Sequence, residues 1–160
     1  MELRRGLGYL SQGSSRDAIL LIRQLAEART ACLWITAEPH GAVPPGVEVV
    51  RVATLGGRPG TLDPKRLPTL RSGASAFLDM HGGGAIIVDC VGALAAYAGV
   101  ERVLRALEDL HEEVATRQAI LAVFLDPRTA SPRLVAWLER ELDALPGTVA
   151  TGEVADRLAA

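Results

Sequence analysis

One short run of residues constrains the fold of this chain more than any other. Residues 85–88 (AIIV) are apolar without alternation, and three glycines at 82–84 precede them. A continuous apolar run bounded by glycines indicates a strand that is buried on both faces, as in a parallel sheet. Asp89 follows the run directly. An acid at such a strand end is the pattern with which ATPases hold a magnesium ion beside a phosphate.

No phosphate-binding loop accompanies this acid. A P-loop has the pattern Gly-x-x-x-x-Gly-Lys-Ser/Thr, in which backbone N–H groups and a lysine surround the phosphates. The chain has one lysine, Lys65, and it follows Pro64 rather than a glycine. The glycine-rich stretch 55–60 also lacks the strict Gly-x-Gly-x-x-Gly of dinucleotide-binding proteins. The sequence therefore predicts an ATPase-like architecture without the residues that perform ATPase chemistry.

Strand and helix patterns alternate along the chain. Apolar runs predict strands at 8–11, 31–36, 47–52, 85–90 and 118–125. Helical periodicity predicts helices at 16–28, 65–81, 100–114 and 131–145, with 91–98 a short helix or an irregular crossover. Right-handed crossovers then give an α/β fold in three layers, with a mainly parallel sheet of five to six strands and helices on both faces. We predict a RecA-like or Rossmann-like sheet without a Walker A motif.

Length and charge limit the organisation and the partners. A chain of 160 residues predicts a single domain over 1–160, with a core at about 6–145 and a strand, a short helix or a frayed tail at 146–160. The net charge of −2 gives no basic field for nucleic acid. No signal peptide and no apolar stretch of membrane-spanning length is visible, so we expect a cytoplasmic protein without a membrane partner.

Three sequence signals predict helix starts. Ser14 followed by Asp17 is typical of a capping box, in which the two residues satisfy free N–H groups of the first turn. Asp63-Pro64 and Ser131-Pro132 each pair a capping side chain with a proline at the first helical position.

Ligands of open parallel sheets bind beyond the carboxyl ends of the strands. Ser14, Ser15 and Arg16 offer hydroxyls, N–H groups, a helix dipole and a cation there, so they are candidates for binding an anion. Simple helix capping is the favoured explanation of the same residues. Asp89 is the candidate magnesium ligand, and the alternative is that it caps the turn that follows it.

Other reactive side chains show no catalytic pattern. His40, His81 and His111 are scattered without the spacing of metal ligands. Cys32 and Cys90 lie in apolar runs, which favours buried thiols, and Asp89 would raise the pKa of its neighbour Cys90. We therefore predict no catalytic residue, no metal site, no cofactor and no enzyme activity.

Several segments, taken in order, resemble the family called domain of unknown function 835. The resemblance covers roughly residues 6–145, and its pieces are 6–10 (GLGYL), 35–39 (ITAEP), 63–64 (DP), 86–89 (IIVD), 125–127 (LDP) and 138–142 (LEREL). Ala37-Glu38 and Cys90-Val91 depart from the family pattern, which commonly has an arginine before the first turn and a glycine after the acid. The resemblance implies a mainly archaeal, RecA-like domain without a P-loop, which occurs beside sensory or response-regulator domains.

Two functions follow as hypotheses. The first is a non-catalytic regulatory, sensory or protein-interaction domain that binds a protein partner or a second copy, with the helix at 131–145 as its interface if Trp137 is exposed. The second is a residual nucleotide- or anion-binding domain that uses Ser14, Ser15, Arg16 and Asp89.

Overall fold

The computed structural model describes residues 3–38, 41–53 and 60–146. Within these ranges the strands are β1 (Gly8–Ser11), β2 (Cys32–Thr36), β3 (Val47–Val52), β4 (Thr61–Leu62), β5 (Ala85–Val88), β6 (Ile120–Phe124) and β7 (Asp143–Ala144). The helices are α1 (Ser15–Glu27), α2 (Thr69–His81), α3 (Val91–Ala98), α4 (Val100–Thr116) and α5 (Pro132–Glu141). Most of the loop at 55–60 and all of the segment 146–160 except Pro146, both named in the sequence analysis, lie outside the described residues.

The strands form one parallel sheet in the order β4-β3-β2-β5-β6-β1-β7. Ile86 of β5 lies between Leu33 of β2 and Leu121 of β6, at the centre of the sheet. The predicted parallel α/β fold is confirmed. The described sheet has seven strands rather than five to six, because β4 and β7 at its edges contain two residues each. Two residues are too few to leave a periodic signal in the sequence.

Helices cover both faces of the sheet unequally. On one face, α1 packs its buried residues Ala18, Leu21 and Ile22 against the sheet. On the other face, α2, α3, α4 and α5 contribute to a larger buried cluster. The predicted three-layer arrangement is confirmed, and it exists because the β5 side chains are fully buried on both faces. Burial of one Ile or Val side chain contributes about 1.5–3 kcal/mol.

The predicted helix at 65–81 begins later than its periodicity indicates. Asp63 accepts a hydrogen bond from the Lys65 N–H at 3.0 Å, but it caps a single 3-10 turn, Pro64–Arg66. Pro68 then precedes α2, which starts at Thr69. Proline has no N–H to bond back into the preceding turn, so it separates the two segments.

The predicted helix at 131–145 ends earlier than expected. Ser131 caps α5 as predicted, with its hydroxyl accepting from the Leu134 N–H at 3.2 Å. The helix stops at Glu141, because the chain turns back into the sheet as β7 beside Tyr9 of β1. Leu145 consequently packs with the α1 cluster on the opposite face of the sheet.

Ion pairs join α2 to α4. Arg71 donates to Asp109 and Glu113 at 3.1 Å each, and Arg117 donates to Glu113 at 2.9 Å and also bonds Asp79. The hydrogen bond from Arg117, followed by that from Arg71, holds the pKa of Glu113 below its ordinary value against the effect of burial. The two pairs that Glu113 makes therefore stabilise the contact between the helices while Glu113 is ionised.

We expect Glu113→Gln to reduce the free energy of unfolding at pH 7 by about 1 kcal/mol, because it removes the shared acceptor of two guanidinium groups. The variant's loss of stability is complete above pH 4.5, the ordinary pKa of the carboxyl group. It disappears as pH falls through the lower pKa that Glu113 has in the folded protein. Urea unfolding of both proteins between pH 3 and 7 measures it. A difference that does not change with pH would contradict the role of this charge.

We expect Arg29→Gly to raise the free energy of unfolding by about 0.5–1 kcal/mol. Arg29 follows the C-cap of α1 with a φ of 58°, a left-handed conformation that favours glycine. Its N–H bonds the Ala26 carbonyl at 3.0 Å, and that bond is kept in the variant. The matched control Arg23→Gly, within α1, should lower the free energy of unfolding by about 1 kcal/mol. Chemical denaturation compares them, and equal losses would refute this explanation.

Candidate functional site

The carboxyl ends of β2 and β5 and the start of α1 meet at one edge of the sheet. Parallel pairing aligns Trp34 with Ile87 and Ile35 with Val88, so Asp89 follows on the face that carries Trp34 and α1. The hydroxyls of Thr36 and Ser15 both lie close enough to Asp89 to lower the pKa of its carboxyl group. The structure thus brings Ser15 and Asp89 together, as the sequence analysis expects for residues at this edge.

Asp89 is held in a partly buried environment. The indole Nε1 of Trp34 donates to Asp89 Oδ2 at 3.0 Å. The other oxygen, Oδ1, is buried without a hydrogen-bond partner among the described residues, so neither nearby hydroxyl bonds to it. Burial raises the pKa of this carboxyl, and Glu38 raises it further, against the opposing effect of Thr36, Trp34 and Ser15. The ionised form is therefore disfavoured here.

Asp89 is not the N-cap of the helix that follows it. Cys90 is the N-cap of α3, and its side chain makes no capping hydrogen bond. The capping role that the sequence offers as an alternative for Asp89 stays a prediction. The Asp89 carboxylate accepts a hydrogen bond from the indole of Trp34, which is buried in the core.

The start of α1 is occupied by a carboxylate of the chain itself. The Ser14 N–H donates to Asp17 Oδ2 at 2.7 Å, and the Ser14 hydroxyl donates to the same oxygen at 3.3 Å. The predicted capping box is confirmed. A Cβ at Gly13 would lie 2.5 Å from Asp17 Oδ2, so this carboxylate lies directly over the turn. An anion approaching the helix start would meet Asp17 first.

The turn between β1 and α1 is also too short to surround a phosphate group. Only residues 12–14 separate Ser11 from Ser15, whereas a P-loop uses eight positions from its first glycine to its Ser/Thr. Arg16 is exposed and is not among the groups that shift the pKa of Asp89. Of the predicted anion-binding residues, Ser15 alone has a described electrostatic contact with Asp89.

Two residues at this edge were not singled out from the sequence. Ser11 is 1% exposed, and its hydroxyl has no hydrogen-bond partner among the described residues. In the sequence, Trp34 has the pattern of an ordinary core residue in an apolar strand. The alignment of β2 with β5 was the missing information, because it sets the indole beside Asp89.

Both thiols are unreactive. Cys32 and Cys90 are buried and free, as predicted. Burial raises the pKa of Cys32 to about 12. Burial, with a smaller contribution from Asp89, raises the pKa of Cys90 as well. Thiols that stay protonated are poor nucleophiles, so neither supplies covalent chemistry.

The described residues contain no cluster of metal ligands and no membrane-spanning helix. Within 3–38, 41–53 and 60–146, no group of three His, Cys, Asp or Glu side chains could hold a metal ion. His40 lies outside the described residues. In the same ranges, no helix has both the length and the apolar character that a membrane crossing requires.

Trp137 is not exposed as the first hypothesis requires. Its side chain is 8% exposed and belongs to the core cluster under α5. The condition that the sequence analysis attached to this helix is therefore not met. The large apolar side chains that are exposed, Leu20, Met80 and Tyr97, lie on three different helices.

A family model described as "Protein of unknown function (DUF835)" matches residues 12–142. The chain belongs to the DUF835 family. This confirms the expected resemblance, over a range that starts in the turn before α1 and ends after α5. No curated protein matches the chain. The DUF835 segment includes Ser15, Asp17, Trp34 and Asp89, so the carboxyl-edge cluster lies within the family domain.

We expect Asp89→Asn to be at least as stable as the unchanged DUF835 domain at pH 7. The amide keeps an acceptor for Trp34 and removes a buried charge. The pKa of the Asp89 carboxyl is raised in the folded protein. The protonated carboxyl therefore contributes stability below pH 3.8, its ordinary pKa, and this contribution is lost as pH rises through the folded pKa. Thermal unfolding from pH 3 to 7 should therefore favour the variant increasingly as pH rises.

Asp126→Asn is the matched control. Arg128 lowers the pKa of Asp126 through a side-chain hydrogen bond, so the pH trend of this variant should have the opposite sign. If Asp89→Asn instead loses stability towards pH 7 as Asp126→Asn does, Asp89 is a stabilising carboxylate and the electrostatic description is wrong.

Proposed function

We propose that this DUF835 domain is a non-catalytic regulatory or sensory module that acts by binding protein. Its architecture is a RecA-like sheet in which the nucleotide site has degenerated. The support for this ancestry is the pair formed by Ser15 and Asp89. P-loop ATPases hold their magnesium ion with a Ser/Thr at the start of the first helix and an Asp at a strand end. The two magnesium-binding positions are still together, whereas the phosphate-binding groups are missing.

The observation that carries the proposal is the position of Asp17. Its carboxylate accepts the Ser14 N–H at 2.7 Å, in the place where a nucleotide phosphate would need free N–H groups. Glu38 adds further negative charge at this edge. A polyphosphate would face repulsion from the carboxylates of Asp17 and Glu38, and no lysine follows the turn to compensate for them.

A second candidate is a residual ligand site at the same edge. Two buried oxygens without partners, Asp89 Oδ1 and Ser11 Oγ, favour it, since buried polar atoms are nearly always hydrogen-bonded. Carboxylate oxygens accept hydrogen bonds, so such a ligand would offer hydroxyl or amino groups rather than a phosphate. The sugar and base of a nucleotide carry groups of this kind.

Cellular setting is part of the proposal. Buried free thiols such as Cys32 and Cys90 suit a reducing compartment, and we propose that the domain acts in the cytoplasm. We also propose a signalling role, because a module that binds a protein without catalysing a reaction can act by changing what its partner does.

Isothermal titration calorimetry with ATP and with cyclic nucleotides, each with and without Mg²⁺, separates the two candidates. We expect no heat of binding at millimolar nucleotide and no release of phosphate from ATP, because the start of α1 is already occupied. Heat that disappears in Asp89→Ala but persists in Asp126→Ala would favour the ligand site over a module that binds protein alone. Phosphate release that depends on Asp89 would show an enzyme.

A further inference from the structure

A groove runs along the outer surface of α4. It lies between the segment that leads into α2, represented by Lys65 and Pro68, and the side of α5 that carries Arg133, Trp137 and Arg140. Its volume is about 840 Å³. This groove is on the opposite face of the sheet from α1. It is therefore separate from the carboxyl-edge cluster.

The groove is positively charged although the chain as a whole is not. Its lining has five basic side chains against three acidic ones, which gives +2, whereas the whole chain has a net charge of −2. The basic residues are Lys65, Arg102, Arg105, Arg133 and Arg140. The acidic residues are Glu101, Glu108 and Asp109.

Internal ion pairs leave the basic residues in excess. Glu101 pairs with Arg133, and Asp109 pairs with Arg71, which lies outside the groove lining. Lys65, Arg102 and Arg105 are exposed and make no ion pair within the described part of the chain. Three cations consequently face solvent along one groove, with Glu108 as the acid that remains beside them.

Apolar side chains form the base of the groove. Leu104, Ala106 and Trp137 line it, and each keeps a small exposed fraction of 7 to 8%. An indole edge at the base of a groove is the kind of group on which apolar anchors of partner proteins pack. The groove thus combines an apolar base with basic rims.

Ion pairs join the elements around the groove. Arg71 and Arg117 connect α2 to α4 through Glu113, and Arg133 of α5 pairs with Glu101 of α4.

We propose that this groove binds an acidic amphipathic helix of a partner protein. Apolar side chains at helical spacing pack on Trp137 and Leu104, and carboxylates on both flanks face Lys65, Arg102 and Arg105. A continuous phosphate backbone fits less well, because it offers no apolar side chains to pack on Trp137 and Leu104 at the base of the groove. The inference rests on the proposed function of protein binding and names the chemistry of the partner.

Three synthetic peptides of about four helical turns test the proposal. They share one apolar face of leucines and differ on the flanks, which carry glutamate, glutamine or lysine. Fluorescence anisotropy of labelled peptide measures binding at two salt concentrations. We expect the glutamate peptide to bind at least about tenfold more tightly than the glutamine peptide, the lysine peptide not to bind, and added salt to weaken binding.

Two triple variants with the same net charge locate the site. Lys65→Glu/Arg102→Glu/Arg105→Glu changes the groove, and Arg23→Glu/Arg29→Glu/Arg51→Glu changes exposed residues outside it. We expect the groove variant to bind the glutamate peptide about tenfold or more weakly than the unchanged protein. The control variant should lose no more than about twofold in affinity. In ¹⁵N spectra, the peptide should shift the indole signal of Trp137 and leave that of Trp34 unchanged.

Several outcomes would overturn this inference. They are equal weakening by both triple variants, equal binding of the lysine peptide, no binding of the glutamate peptide, or a shift of Trp34 alone. Sedimentation equilibrium that shows a dimer broken by the groove variant would assign the groove to a second copy instead. None of these results bears on nucleotide binding, so the calorimetry of the proposed function is judged separately.

Discussion

The burial of β5 on both faces is the constraint on which the rest of the structure depends. All four of its side chains are fully buried, so one helix layer must cover each side of the sheet and every strand must run in the same direction. This requirement brings the ends of β2 and β5 and the start of α1 to one edge. The contact between Trp34 and Asp89 is a direct result of that parallel register.

The same edge explains why the proposed module would lack ATPase chemistry. Asp89 lies at a strand end, where an ATPase has its metal-binding acid, but burial disfavours its charge and Trp34 donates a hydrogen bond to one of its oxygens. The Asp17 carboxylate accepts the Ser14 N–H at the start of α1, where a phosphate would otherwise accept hydrogen bonds. On the proposed function, recognition takes place at the protein surface instead, and the groove along α4 is the binding site that we infer there.

The sequence predicts those parts of the fold that depend on neighbouring residues. Residues 85–88, the capping box of α1 and the proline at the start of α5 are all local signals, and the structure confirms each of them. The start of α2, the end of α5 and the two edge strands depend on how distant segments meet, so periodicity misplaced them. The same contrast holds for the candidate site. The sequence identifies Asp89 as a candidate, whereas its hydrogen bond to Trp34 depends on the register of the sheet.

A titration of the Asp89 carboxyl carbon by ¹³C NMR, with and without Mg²⁺ and ATP, tests the central claim most directly. We expect a pKa above the ordinary 3.8, and we expect the same midpoint when magnesium and nucleotide are added. A cation bound at the carboxylate would stabilise its charged form and lower the midpoint. A midpoint that falls on addition of Mg²⁺ and ATP would show metal binding at Asp89 and contradict the proposal that this nucleotide site has degenerated.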